Sequence, residues 1–168
     1  FSASNFLSAR QKFEESYNSG QPLLSNGDEV LNQNLEYYIA VCAAETNDKD
    51  AEQLLLNYMR NYHETDKRRQ VYLYLGKYYY KNARYAEAVE QLAKVNINDL
   101  HNEQIYDYKF MLGYSYFTKK KFKEARPLFA SLIGIKEKYF YPSNYYFGFI
   151  CFYEKDYNQA LKSFKEIE

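Results

Sequence analysis

VYLYLGKYYYKNARYAEAVEQLAKV, residues 71–95, holds two helix-period patterns separated only by Lys81-Asn82-Ala83. In the first half Tyr72, Leu75, Gly76 and Tyr79 recur at i, i+3, i+4 and i+7, which is one face of an α-helix. In the second half Tyr85, Ala88, Leu92 and Val95 share a face. Two amphipathic helices joined by so short a break turn back on each other as an antiparallel hairpin. One hairpin cannot bury both of its apolar faces, so the pattern predicts further hairpins stacked beside it.

The rest of the chain supplies them. An aromatic residue, Ala three places on and a large apolar residue four beyond form a ladder at Phe6/Ala9/Phe13. The ladder returns at Tyr85/Ala88/Leu92, Phe122/Ala125/Phe129 and Tyr157/Ala160/Phe164, with a weaker copy at Ala51/Leu55 where Asp48 replaces the aromatic. The alanines Ala9, Ala51, Ala88, Ala125 and Ala160 are spaced by 42, 37, 37 and 35 residues, the range of helical-hairpin repeats. A small residue has a physical reason here, since two helix backbones approach closely only where no larger side chain holds them apart. Gly76, Gly113 and Gly148 recur in phase on the preceding helices, although each costs its helix about 1 kcal/mol against Ala. In the earlier copy Ile39 takes that place.

The expected architecture is all-α: an α-solenoid of about nine helices in antiparallel hairpins, wound as a right-handed superhelix. It forms a single array over residues 1–168, with a lone half-repeat at 4–17 and hairpins at 28–61, 65–95, 99–133 and 142–168. Residues 23–28 read as the longest loop, with Asp28 capping the next helix. Helix starts are expected at Asn47 or Asp48, at Thr65 or Asp66, and just after Tyr141, where Pro142 suits a first helical position. Pro127 is expected to bend its helix slightly near Lys123. The pattern begins on a second-type helix and ends without a polar cap, so the chain is expected to be a segment of a longer array.

Composition narrows the function. The chain has 168 residues, with 22 basic and 22 acidic side chains and no net charge. That balance argues against nucleic acid as a partner; the basic runs Lys67-Arg68-Arg69 and Lys119-Lys120-Lys121 are read as solvated helix ends. No stretch approaches the roughly 20 apolar residues of a membrane span, so membrane insertion by this segment is not expected. Tyr (21) and Phe (12) are abundant and Trp is absent, so whatever surface the chain offers will be rich in rings. Cys42 and Cys151 lie at equivalent repeat positions on core faces and are read as inert packing groups, too far apart in an array to bridge. His63 and His101 fall in turns without ligand spacing, so no metal or cofactor is expected. No nucleophile, phosphate-loop or metalloprotease motif points to an enzyme. Periplasmic and cytoplasmic locations both remain open.

At Leu75-Gly76-x-x-Tyr79, followed by Ala88, Leu92 and Val95, the sequence resembles the tetratricopeptide repeat family. Further copies read Leu112-Gly113-x-x-Tyr116 with Ala125 and Phe129, Phe147-Gly148-x-x-Cys151 with Ala160 and Phe164, and Tyr38-Ile39-x-x-Cys42 with Ala51 and Leu55. Tyr72, Lys109 and Asn144 stand where the family places Trp, the terminal Pro is absent, and the period exceeds the family's value of about 34. The resemblance implies a non-catalytic scaffold that holds a protein or peptide partner in a concave groove. In that family the groove is lined from the first helix of each hairpin. Here that face carries Leu73, Lys77 and Tyr80, then Phe110, Tyr114 and Phe117, then Tyr145, Phe149 and Phe152. Rings offer contact area with little rotamer entropy to lose, so an aromatic or amphipathic helical ligand suits them. The alternatives are that these rings pack on one another and on neighbouring repeats of a spacer segment, or that exposed Tyr stacks on glycans. Exposed ends of the array offer a route to self-association.

Overall fold

The computed structural model describes residues 3–19, 26–63, 66–135 and 138–168. Among these residues every regular element is helical: α1 (Ala3–Ser19), α2 (Asn26–Thr46), α3 (Ala51–Asn61), α4 (Asp66–Lys81), α5 (Tyr85–Leu92), α6 (Asn102–Thr118), α7 (Phe122–Ala130), α8 (Phe140–Tyr153) and α9 (Tyr157–Lys165). A short 3-10 turn, Ile97–Asp99, lies between α5 and α6. The expected all-α repeat fold is present. It divides into two compact units, Phe1–Asn82 and Ala83–Glu168.

In the first unit α2 is the central helix, with α1, α3 and α4 packed on it. Its Ala40, Ala43 and Ala44 are fully buried, as is Ala51 at the start of α3. Small side chains at these points let the backbones come close. Leu55, Tyr58, Val71 and Leu75 fill the space around them. Tyr37 joins α2 to α4 by donating its hydroxyl to Gln70 Oε1 at 2.6 Å. Arg10 fastens α1 to the turn after α2: its guanidinium reaches Asp48 at 2.8 Å and Asp50 at 2.6 Å, and its Nε reaches Glu14 at 2.8 Å.

In the second unit α6 packs on α5 and α7, and α8 packs on α6, α7 and α9. Ala88, Ala125 and Ala160 are all buried. Gly113 faces Leu128 and Phe129, and Gly148 faces Phe164, each glycine against the large residue of its own hairpin's ladder. Arg126 repeats the part Arg10 plays in the first unit. From α7 it reaches Glu154 at 2.9 Å and Asp156 at 2.7 Å in the α8–α9 turn.

The hairpin turns share one device. Asn47, Lys120 and Lys155 have φ of 56°, 57° and 66°, and Ala83 has 57°. After α2, α6 and α8 the next amide reaches back five residues: Asp48 to the Ala43 carbonyl at 2.8 Å, Lys121 to Tyr116 at 2.9 Å and Asp156 to Cys151 at 2.8 Å. This is the Schellman closure, here built without glycine.

Several boundaries differ from the sequence expectation. The α3 helix starts at Ala51 because the turn through Asn47 extends to Asp50. The α8 helix starts at Phe140, ahead of Pro142. Pro142 still falls in the first turn, where amides lack intrahelical partners and a missing N–H costs nothing. The α7 helix continues through Pro127 to Ala130, with the Lys123 carbonyl left without its usual helical donor. The α2 helix starts at Asn26, so the second half of the expected 23–28 loop is helical and Asp28 lies inside the first turn instead of capping it. Residues 20–25 and Thr65 lie outside the described residues.

Candidate partner-binding surface

The nine residues expected to line a groove have different surroundings. In the first unit Leu73 keeps only 5% of its surface and belongs to the core. Lys77 is paired with Glu45, its Nζ at 2.7 and 2.6 Å from the two carboxylate oxygens. Tyr80 is half-buried.

In the second unit the α6 row is largely covered. Phe110 is 8% exposed and therefore core, and Tyr114 and Phe117 are half-buried. What covers them is α8 with its leading residue. Tyr139 stacks on Phe110 with ring centroids 4.5 Å apart. Tyr146 meets Tyr114 at 5.2 Å, Phe117 at 4.9 Å and Phe129 at 5.4 Å. Phe149 meets Phe117 at 5.3 Å, and Tyr153 meets Phe122 at 4.7 Å. The pairs advance together along both helices, so α8 runs parallel to α6.

The α8 row is open. Tyr145, Phe149 and Phe152 are 50%, 40% and 60% exposed, and on α9 Tyr157 and Leu161 are 57% and 56% exposed. Phe152 and Tyr157 are in contact, centroids 5.6 Å apart, so the two helices share one ring-rich surface. The α8 helix contains no charged residue. Sequence reasoning located this row but missed Tyr157 and Leu161, because it searched only the first helix of each hairpin. The Tyr157/Ala160/Phe164 ladder predicts a packing role for Tyr157, yet Tyr157 is exposed while Ala160 is buried.

Other candidate features have structural roles. Lys67 lies over the rings of Tyr37 and Tyr38 at 5.2 and 4.6 Å and bonds Asn34. Arg69 pairs with Asp66, and Arg68 donates to the His63 carbonyl at 2.9 Å. His101 precedes α6, and its amide donates to Gln104 Oε1 at 3.0 Å. Cys42 and Cys151 are buried free thiols, and burial raises the pKa of both. A cavity of about 250 Å³ lies among Glu103, Tyr106, Asp107, Ile135, Lys138 and Tyr139. Asp107 is already engaged there, accepting from the Tyr139 hydroxyl at 2.6 Å and Lys138 Nζ at 3.3 Å. Among the described residues no group of three or more His, Cys, Asp or Glu is placed to hold a metal ion. No described helix is long and apolar enough to cross a membrane.

No protein-family model and no curated protein matches the sequence. Two solved structures of MamA are similar to it in fold. MamA of AMB-1, in a P212121 crystal form, has 21% identity over 98% of this chain and 82% of that chain, with a TM-score of 0.70. MamA of MSR-1, in a C2 form, has 18% identity over 98% of this chain and 86% of that chain, with a TM-score of 0.67. At such identity the likeness concerns the fold alone, and it places the chain among all-α helical repeat folds.

Proposed function

We propose that this chain is a non-catalytic protein-interaction scaffold of the tetratricopeptide kind, holding a peptide or helix of a protein partner on the ring-rich surface of α8 and α9. The observation that carries this reading is the open row Tyr145, Phe149 and Phe152, continuous with Tyr157 and Leu161 and uncrossed by charge along α8. Large exposed apolar surfaces of this sort serve partners, and rings are the side chains that contribute most when such a surface is covered. Phe110, Tyr114 and Phe117 act in this reading as supports on the covered side of α8: Phe117 touches Phe149 directly, and all three pack on Tyr146.

A panel of immobilised peptides, extended and helical, with and without aromatic residues, tests it. Tyr145→Ala with Phe152→Ala removes two exposed rings that carry little of the core. Ring-bearing peptides should bind the parent protein and lose most of that binding in the double variant, with the circular dichroism spectrum unchanged. Equal binding by both proteins ends the proposal. A second reading, a spacer within a longer repeat array, has one observation in its favour: the equivalent row on α6 is covered by a neighbouring helix.

A further inference from the structure

We infer that the occupant of the α8–α9 surface is a single amphipathic helix of a partner protein, lying parallel to α8 and bearing aromatic residues at i, i+7, i+10 and i+14. This rests on the scaffold reading above and specifies its partner. The protein contains its own template for the complex. The surface formed by α6 and α7 recurs 35 residues later on α8 and α9. Phe110, Tyr114, Phe117 and Phe122 become Tyr145, Phe149, Phe152 and Tyr157, and the buried Phe129 becomes the half-buried Phe164. On the first of these surfaces a helix is already seated. It presents Tyr139, Tyr146, Phe149 and Tyr153, which are spaced i, i+7, i+10 and i+14. A surface that repeats in phase and chemistry receives a helix of the same pattern in the same direction.

Two substitutions between the surfaces define what the occupant lacks. The seated α8 is held at its two ends by polar clamps: Asp107 takes the Tyr139 hydroxyl, and Arg126 takes Glu154 and Asp156. The residues equivalent to Asp107 and Arg126 are Pro142 and Leu161. Both clamps are therefore replaced by apolar groups, and an acidic residue following the occupant would face Leu161 unpaired. The preferred helix has uncharged flanks and is held by rings alone. Tyr145, Phe149, Phe152, Tyr157 and Leu161 together offer roughly 500 Å² of exposed side chain. That is below the roughly 800 Å² per partner of a standard stable interface, so the complex is a transient one.

Synthetic labelled helices test this by fluorescence anisotropy against the whole chain. The first carries Tyr, Tyr, Phe and Tyr at i, i+7, i+10 and i+14 with uncharged flanks. The second adds acidic residues at i+15 and i+17, copying Glu154 and Asp156. The third has the same composition with the rings spread around the helix, and a fourth peptide is extended by prolines. The first should bind at least tenfold more tightly than the third and fourth, and more tightly than the second. Leu161→Arg rebuilds the missing clamp and should reverse the order of the first and second. Leu161→Glu should weaken the first at least tenfold. Equal binding of the first and third helices overturns the inference. Preference for the extended peptide also overturns it while leaving the scaffold reading intact. Sedimentation showing a concentration-dependent dimer that excludes the first helix assigns the surface to a second copy and overturns it too.

Discussion

The ring of Phe164 lies on the bare backbone of Gly148: a Cβ built at Gly148 would fall 2.8 Å from Phe164 Cε1 and 3.0 Å from Cζ. The recurrence of glycine in the sequence has this physical cause, a helix crossing closed to the point where no methyl fits. Ala at position 148 gains helix propensity of about 1 kcal/mol, but the overlap must displace the ring at a cost of about 1–3 kcal/mol. Gly148→Ala should therefore destabilise the second unit by about 1 kcal/mol net. Phe164→Ala in the Gly148→Ala background should cost less than it does alone, with a coupling of at least about 0.5 kcal/mol in a double-mutant cycle read by urea unfolding. Additive effects would mean that the two residues are not in contact. Gly113→Ala should behave alike although its nearest contacts are 3.2–3.3 Å, because Phe129 is fully buried and has nowhere to move.

Lys120 and Lys155 adopt φ of 57° and 66° at the hairpin turns. A side chain in that region costs about 1–2 kcal/mol, which glycine avoids. Lys120→Gly should stabilise the protein by about 1 kcal/mol, and Lys155→Gly by a similar amount. The gain is offset in part by the freer unfolded chain. Thermal unfolding checks both, and a fall in Tm for Lys120→Gly would contradict the turn geometry.

The two arginine clamps differ in exposure. The Arg10 side chain keeps 14% of its surface and meets three carboxylates, whereas that of Arg126 keeps 36% and meets two. Arg126→Met should cost at most about 0.5 kcal/mol and become neutral in high salt. Arg10→Met should cost about 1–2 kcal/mol, most of it persisting in salt, because the pair is screened less and two helices lose their link. Urea midpoints at low and high ionic strength separate the two.

Burial pushes the Tyr146 phenol up to about 12 from an ordinary 10.0, and the neighbouring Tyr114 adds to the shift. Tyr62 in the first unit is likewise raised to about 12, by burial and by the charge of Glu36. The folded protein favours the neutral phenol, so this contribution is complete below pH 10 and is lost as the pH rises through about 12. Absorbance titration should show tyrosines that ionise late, together with falling stability across that window. Tyr146→Phe keeps the ring packing and should make the second unit less sensitive to alkali. An unchanged alkaline midpoint would show that Tyr146 titrates as a free phenol.

The helical hairpins, their period and their crossing points were legible in the spacing of a few alanines and glycines. Small residues in phase have few other uses, and Ala88, Ala125, Ala160, Gly113 and Gly148 all serve the crossings that their spacing implied. Helix ends were less legible. Asn47, Lys120 and Lys155 close their turns in a conformation usually given to glycine, and Pro142 lies inside a helix that starts earlier than it. The clamp from Arg10 to Asp48 joins residues 38 positions apart, and nothing local marks either partner.

Phe110 and Tyr145 show where one-dimensional information ends. They occupy the same repeat position, both are aromatic, and one is 8% exposed while the other is 50% exposed. Periodicity acts through the chain's own helical turn, so it can be read residue by residue, and it is enough to specify which faces are apolar. Whether an apolar face becomes core or surface depends on another helix arriving from elsewhere in the chain. Tyr139 and Tyr146 arrive over Phe110, and among the described residues no ring buries Tyr145 in the same way. Burial is a property of that three-dimensional neighbourhood, and only the packed structure contains it.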